Sequence, residues 1–236
     1  MNIKKVTIAI IITIIISIFY QYGRSIWYPF YVKLRGKRSV KEVILKYESN
    51  VLKRVTKLRE KKNPYPEKLV LIVIKELRRI EVWGIYDNKY SLIKKYKLTA
   101  FSGKLGPKLK NGDRQIPEGI YNVEYLNPNS SYHLSIKIDY PNRFDREMAK
   151  KDKRKNLGGD IMIHGKRATI GCIPIGDSNI EELFVIVAKV GIKNTQVIIS
   201  PRDFRLNRNF PEIKKIDWES KLYDRIKIEM MKYHKE

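Results

Sequence analysis

The stretch Gly158-Gly159-Asp160-Ile161-Met162-Ile163-His164-Gly165-Lys166-Arg167-Ala168-Thr169-Ile170-Gly171-Cys172-Ile173-Pro174 carries a histidine at the end of a short apolar run and, a few residues on, the only cysteine of the chain. A free thiol, with a pKa of about 8.5, is mostly protonated at neutral pH, so thiolate chemistry needs a base close by. An imidazole can take that proton and later return it to a leaving amine. Cys172 is thus a candidate nucleophile and His164 its candidate base, a pair suited to acyl transfer. Gly171, directly before the cysteine, lets the backbone turn tightly, and the amides near Ile170, Gly171 and Cys172 are then placed to form an oxyanion hole. Lys166 and Arg167 would favour thiolate over thiol and are candidates for gripping a substrate carboxylate; solvated loop charges are the simpler account of both. A functional Cys172 is expected to alkylate faster than free cysteine at mildly acidic pH, whereas a cysteine used only as a small buried hydrophobe stays inert until the protein unfolds. With one cysteine there is no intramolecular disulfide and no cysteine cluster for zinc. His133 is expected on a strand face and His234 lies in the C-terminal tail, so neither competes with His164 as base.

Positioning such a pair requires strands, and the pattern supplies them from Leu69 onward. Leu69 to Lys75, Arg79 to Tyr86 and Tyr90 to Thr99 read as strands separated by turns such as Asp87-Asn88-Lys89. Pro117-Glu118-Gly119 leads into a strand over 120–126, Ser131 to Tyr140 alternates as another, and Ile161-Met162-Ile163 ends on His164. Ile180 to Val190 reads as a helix and Gln196 to Ser200 as a strand, and Asp217 is expected to cap a last amphipathic helix running to about Tyr233. Ser102-Gly103-Lys104-Leu105-Gly106-Pro107 is glycine-rich but lacks the Gly-Lys-Ser/Thr ending and following helix of a phosphate-binding loop. Upstream, Ser39-Val40-Lys41-Glu42 is a capping box. It opens a helix expected to run to about Lys61, with one basic face suited to an anionic membrane surface or to plain solvation. The soluble part is therefore β-rich with a few helices, an α+β or all-β fold.

The first residues place this domain. Lys4 and Lys5 precede an almost unbroken apolar run from Val6 to Tyr20, followed by the bulky Tyr20, Tyr22, Trp27 and Tyr28 rather than a small-x-small cleavage site. An uncleaved signal anchor is expected, with the rest of the chain outside the cytoplasm. The 236 residues carry 49 Lys and Arg against 25 Asp and Glu, a net charge of +24, which attracts polyanions such as nucleic acid, anionic lipid or acidic wall polymers. Export by the anchor argues against nucleic acid.

The order Ile-His-Gly, a short loop, then Thr-x-Gly-Cys resembles the active-site signature of the L,D-transpeptidase (YkuD-type) catalytic domain. Gln115-Ile116-Pro117-Glu118-Gly119-Ile120-Tyr121 is similar to that family's T-P-x-G-x-Y/F segment. Ser135-Ile136-Lys137-Ile138-Asp139-Tyr140-Pro141-Asn142 resembles the Y-P-N strand of its YafK-like branch, which also has a short His-to-Cys loop. The resemblance covers about Leu69 to Ser200. It implies an α+β, β-rich fold, a mixed β-sandwich with peripheral helices, which in this chain follows the membrane anchor and helix read above. The expected organisation is an anchor over 1–22, a membrane-proximal basic helix and linker over 23–67, the catalytic domain over 68–202 and a C-terminal extension over 203–236.

Carried over to this chain, the resemblance makes Cys172 the acylated nucleophile and His164 its base. The Gly165 carbonyl would orient the imidazole, and Thr169 would occupy the Ser/Thr position that shapes the loop. The implied substrate is a peptidoglycan stem peptide, attacked after its third residue, with D-Ala leaving and an amine accepting the acyl group. No metal or organic cofactor is implied. The implied partners are the wall, the membrane through the anchor and, for a hydrolytic member, a wall-attached protein; the implied location is the bacterial inner membrane with the domain in the periplasm. Two departures bear on the acceptor: Ile170 stands where many members carry His, and Pro174 where many carry Arg or Asn. A hydrolytic amidase or carboxypeptidase is accordingly the alternative, and a non-catalytic, membrane-tethered polyanion-binding module is the alternative of another class.

Overall fold

The computed structural model describes residues 3–55, 58, 64–207, 209–211 and 216–233. The apolar N-terminal run forms helix α1 (Ile3–Tyr22). Its Ile3–Tyr20 window has a mean hydropathy of 2.1, and none of it is buried against the rest of the protein. By length and composition it is able to cross a membrane, a description a signal sequence also meets. Helix α2 (Arg24–Arg35) follows, with Pro29 inside it. Helix α3 (Val40–Arg54) starts as its capping box predicts: Ser39 Oγ accepts from the Glu42 amide and Glu42 accepts from the Ser39 amide at 2.5 Å. The helix ends at Arg54, short of the expected Lys61, and residues 56, 57 and 59–63 lie outside the described residues.

Eight strands follow in one mixed sheet of order β3-β2-β1-β8-β4-β5-β6-β7. They are β1 (Lys68–Ile74), β2 (Arg79–Tyr86), β3 (Lys89–Lys97), β4 (Gly119–Asn127), β5 (Ser135–Ile138), β6 (Met162–His164), β7 (Ile173–Pro174) and β8 (Thr195–Ser200). Only β1–β8 and β6–β7 are parallel. The pairing slips between Val123 and Tyr125 in β4, which belongs to both the five-strand and the four-strand halves of the sheet. Among the described residues three α-helices follow in this part of the chain: α4 (Arg143–Lys151), α5 (Asp177–Val190) and α6 (Glu219–Met230).

The sequence of β1 explains the layering. Its run Leu69-Val70-Leu71-Ile72-Val73-Ile74 is apolar at every position because both faces are covered. Leu69, Leu71 and Val73 join a core with Val43, Tyr47 and Val51 of α3 and Leu183, Phe184 and Val187 of α5. Val70, Ile72 and Ile74 join a second core with Phe144 and Met148 of α4 and Leu222, Tyr223 and Ile226 of α6. The basic helix α3 and the C-terminal helix α6 are thus both built into the cores of the sheet. The architecture is α+β and β-rich, as expected.

Three local expectations are corrected. The strand expected over 131–140 is confined to Ser135–Ile138, because residues before it turn, with His133 in the left-handed region (φ +79°). His133 consequently sits on no strand face; its Nε2 lies 2.7 Å from Glu181 Oε1 on α5. Asp217 does not cap α6: the N-cap is Trp218, without a side-chain capping bond. Helix α4 was not expected at all. Asn142 caps it through a full capping box with Asp145, at the end of what reads in sequence as a strand and turn.

Candidate active site

Alternation along β6 and β7 aims the site. Ile163 pairs with Ile173 and His164 with Pro174 in parallel register. Ile161, Ile163, Ile173 and Ile175 are all buried in the core with α5, so Met162, His164 and Cys172 fall on the other face of this strand pair. On the remaining side β6 is held by β5, with Ser135 opposite His164.

The loop between the two strands is fixed residue by residue. Thr169 Oγ1 donates to the Cys172 carbonyl at 2.6 Å and accepts from the Gly171 amide at 3.1 Å. Lys166, at φ +60°, gives its amide to Asp177 Oδ1 (2.8 Å) and its ammonium to Asp177 Oδ2 (2.5 Å) in the first turn of α5. Thr99 Oγ1 holds the Lys166 carbonyl at 2.7 Å. Gly171 has φ +130°, and a Cβ there would stand 3.0 Å from the backbone oxygen of Gln115. Gly171→Ala is therefore expected to lower unfolding stability by about 1–3 kcal/mol. Urea denaturation of the variant against the parent checks this.

His164 is 2 % exposed, and its Nδ1 lies 2.5 Å from the Gly165 carbonyl. A carbonyl only accepts, so Nδ1 carries the proton and Nε2 keeps the lone pair of the neutral ring. Burial pulls the imidazole below its ordinary pKa, against the bond to Gly165. The ring of Tyr132 lies against it, with centroids 4.5 Å apart. Cys172 is half-buried, and its thiol points at the Asp160 carbonyl at 3.5 Å. Burial raises its pKa, aided by the Asp160 charge and opposed by the Met162 amide and Lys108. Both shifts favour thiol and neutral imidazole over a thiolate–imidazolium pair.

These contacts bear on two sequence expectations. Lys166 is tied to Asp177 and Arg167 is exposed, with no hydrogen bond or ion pair among the described residues. The cation acting on Cys172 is Lys108, itself held by Asp113 Oδ1 at 2.5 Å and the Lys110 carbonyl at 2.9 Å. Thiol reactivity at mildly acidic pH should accordingly fall below that of free cysteine. Of the three amides expected to form an oxyanion hole, that of Gly171 is used by Thr169, while those of Ile170 and Cys172 have no acceptor among the described residues. The Ile170 side chain is exposed. His234 lies outside the described residues. No group of three or more His, Cys, Asp or Glu able to hold a metal occurs among the described residues.

Residues not singled out from sequence back this site. Lys75 Nζ and Glu118 Oε1 form a fully buried ion pair at 2.8 Å. Lys75 also donates to the Gly106 and Ile116 carbonyls, and Glu118 accepts from the Gly106 amide and the Tyr223 hydroxyl. The pair pins the 103–118 segment whose Gln115 backs Gly171. Gln115 also lines a cavity of about 720 Å³ with Gly103, Lys104, Pro107 and Arg154.

Fold and site together define a mixed α+β domain built around one thiol and one buried imidazole. The chain belongs to the L,D-transpeptidase catalytic domain (YkuD) family, whose model matches residues 67–199. It is 35% identical over 134 residues to the Escherichia coli K12 protein named "Putative L,D-transpeptidase YafK", covering 55% of this chain and 52% of that one. The chain thus spans about half the length of the curated relatives it matches. Among solved structures, the helical cell shape determining protein Pgp2 of Campylobacter jejuni is 18% identical, with a TM-score of 0.47 over 71% of this chain and 70% of that one. Bd1075 of Bdellovibrio bacteriovorus is 21% identical, with a TM-score of 0.43 over 68% and 53% of the two chains.

Proposed function

We propose that this chain is a cysteine acyltransferase of peptidoglycan, tethered to the bacterial inner membrane by α1 with its catalytic domain in the periplasm. The observation that carries the reading is the Nδ1–H bond to Gly165, which leaves Nε2 as the ring nitrogen able to accept a proton, on a strand pair that also leads to Cys172. In this reading His164 Nε2 takes the thiol proton as Sγ attacks the carbonyl of the third stem residue. The amides of Ile170 and Cys172 receive the oxyanion. The C–N bond breaks, His164 returns the proton to the leaving D-Ala amine, and a thioester on Cys172 remains. An acceptor amine, losing its proton to Nε2, then attacks the thioester and restores the thiol. Lys104 and Lys110, exposed on the cavity wall, offer positive charge to stem carboxylates.

A hydrolytic reading has one observation behind it: Ile170 is exposed and Pro174 buried where many relatives carry polar residues, so no side chain there holds an acceptor. The deciding experiment incubates the full chain with disaccharide-tetrapeptides and cross-linked wall fragments, with Cys172→Ala as control, and reads the products by mass spectrometry. New 3–3 cross-links or exchange of the terminal D-amino acid are expected. Shortened stems without exchange would place water as the acceptor. No change relative to the control sinks the acyltransferase reading.

A further inference from the structure

The aromatic ring that lies against the His164 ring comes from the loop between β4 and β5. Tyr132 is 41% exposed while the imidazole beneath it is 2% exposed, so the tyrosine ring forms the solvent side of the base. Its hydroxyl has no hydrogen bond among the described residues, which leaves the ring itself as the part in use. The loop is held firmly from several directions. Ser130 Oγ accepts from the Tyr132 amide at 3.1 Å, and Asn127 Oδ1 accepts from the Asn129 amide at 2.9 Å. The Asn129 side chain brackets Arg38, accepting from its amide (2.9 Å) and donating to its carbonyl (2.8 Å). The Arg38 guanidinium in turn donates to the Pro128 and His133 carbonyls, at 2.5 and 3.2 Å. On the α5 side, His133 meets Glu181. Gly165, next to the base, has no room for a Cβ: one would stand 2.7 Å from the Tyr132 carbonyl.

We propose that Tyr132 is a positioning residue for His164, its ring fixing the imidazole plane and closing it from water, and that the short segment joining α2 to α3 holds Tyr132 in place through Arg38 and Asn129. The inference rests on His164 being the base. Keeping water from the ring keeps it uncharged, and so able to accept a proton, further into the acid range. Around this loop Lys166 is paired with Asp177, His133 Nε2 lies against Glu181, and the Arg38 guanidinium is bonded to the Pro128 and His133 carbonyls; the only hydrogen bond of the imidazole among the described residues is to the uncharged Gly165 carbonyl, so shielding is what Tyr132 adds. The segment that follows the candidate membrane span is then part of the support of the catalytic base.

The test measures kcat, KM and the pH profile of tetrapeptide turnover for the full chain in detergent micelles, as Tyr132→Phe, Tyr132→Leu, Asn129→Ala and His164→Ala. Tyr132→Phe should stay within about twofold of the parent. Tyr132→Leu should lose about tenfold in kcat with KM unchanged, and its acid limb should move to higher pH. Asn129→Ala should move the limb the same way by less, which keeps the inference testable if the leucine variant does not fold. An unmoved acid limb in both Tyr132→Leu and Asn129→Ala overturns it, whatever the loss in rate. If His164→Ala retains parental turnover, the base assignment itself fails, a result distinct from failure of the tyrosine.

Discussion

Cys172→Ala and His164→Ala, each made in the full-length chain, are expected to lower turnover of peptidoglycan tetrapeptides by roughly 10⁴-fold or more, as loss of a nucleophile or its base does elsewhere. The double variant should be no worse than either single one, because the two act on one proton. The form of the pH dependence follows from the resting pair. Burial lowers the pKa of His164 and raises that of Cys172, so thiol and neutral imidazole coexist across the neutral range. The proton moves only as Sγ attacks. Iodoacetamide should therefore modify Cys172 more slowly than free cysteine at pH 6, and the rate should climb into the alkaline range as thiolate forms. Faster modification than free cysteine at pH 6 would show a preformed ion pair and refute this resting state. The same shift bears on folding. The unfolded imidazole, with its ordinary value near 6.5, binds a proton more readily than the folded one. Its contribution to stability is then present above pH 6.5 and declines as the pH falls below it. Urea midpoints at pH 7.5 and pH 5 for parent and His164→Ala measure it: the imidazole's share of the difference is absent in the variant, while that of Asp145, raised to about 6 by burial, is common to both.

Much of this arrangement is legible in the sequence where the determinants are local. The strand ending on His164, the Gly171-Cys172 turn and the Ser39–Glu42 capping box depend on neighbours within a few residues, and each forms as its pattern predicts. The failures arise where a distant partner decides. The segment Ser131 to Tyr140 alternates as a strand would, yet Ser130 turns the chain at Tyr132 and Glu181, on a helix far along the sequence, draws His133 out of line. Lys166 reads as a free loop cation until α5 brings Asp177 beneath it. Asn142 closes a strand pattern and opens α4 at once, and its capping box with Asp145 is hidden by the proline and asparagine that also signal a turn. The cysteine's electrostatics could be read only in part, since burial leads, followed by the Met162 amide, the Asp160 charge and Lys108, and the adjacent Lys166 and Arg167 are not among them.

The Lys75–Glu118 pair is the clearest case of a determinant without a local signal, and breaking it should have the largest effect on stability. Both side chains are wholly buried, and every partner of the ammonium is an oxygen: Glu118 and the carbonyls of Gly106 and Ile116. Burial pulls the Lys75 ammonium below its usual range, against the attraction of Glu118. Lys75→Met leaves a buried carboxylate with only the Gly106 amide and the Tyr223 hydroxyl, and removes one donor each from the Ile116 carbonyl and the Gly106 carbonyl, the latter keeping Gln115 Nε2. It is expected to cost about 3–5 kcal/mol, read from urea denaturation of the full chain. Adding Glu118→Leu removes the stranded charge and should restore part of that loss. Activity should not return with it. Glu118 also anchors Gly106, and through that turn the segment whose Gln115 carbonyl backs Gly171, so the double variant regains stability but presents Cys172 on a loosened loop. Equal recovery of stability and turnover in the double variant would mean the pair serves the core alone, with no role in holding the loop against the cysteine.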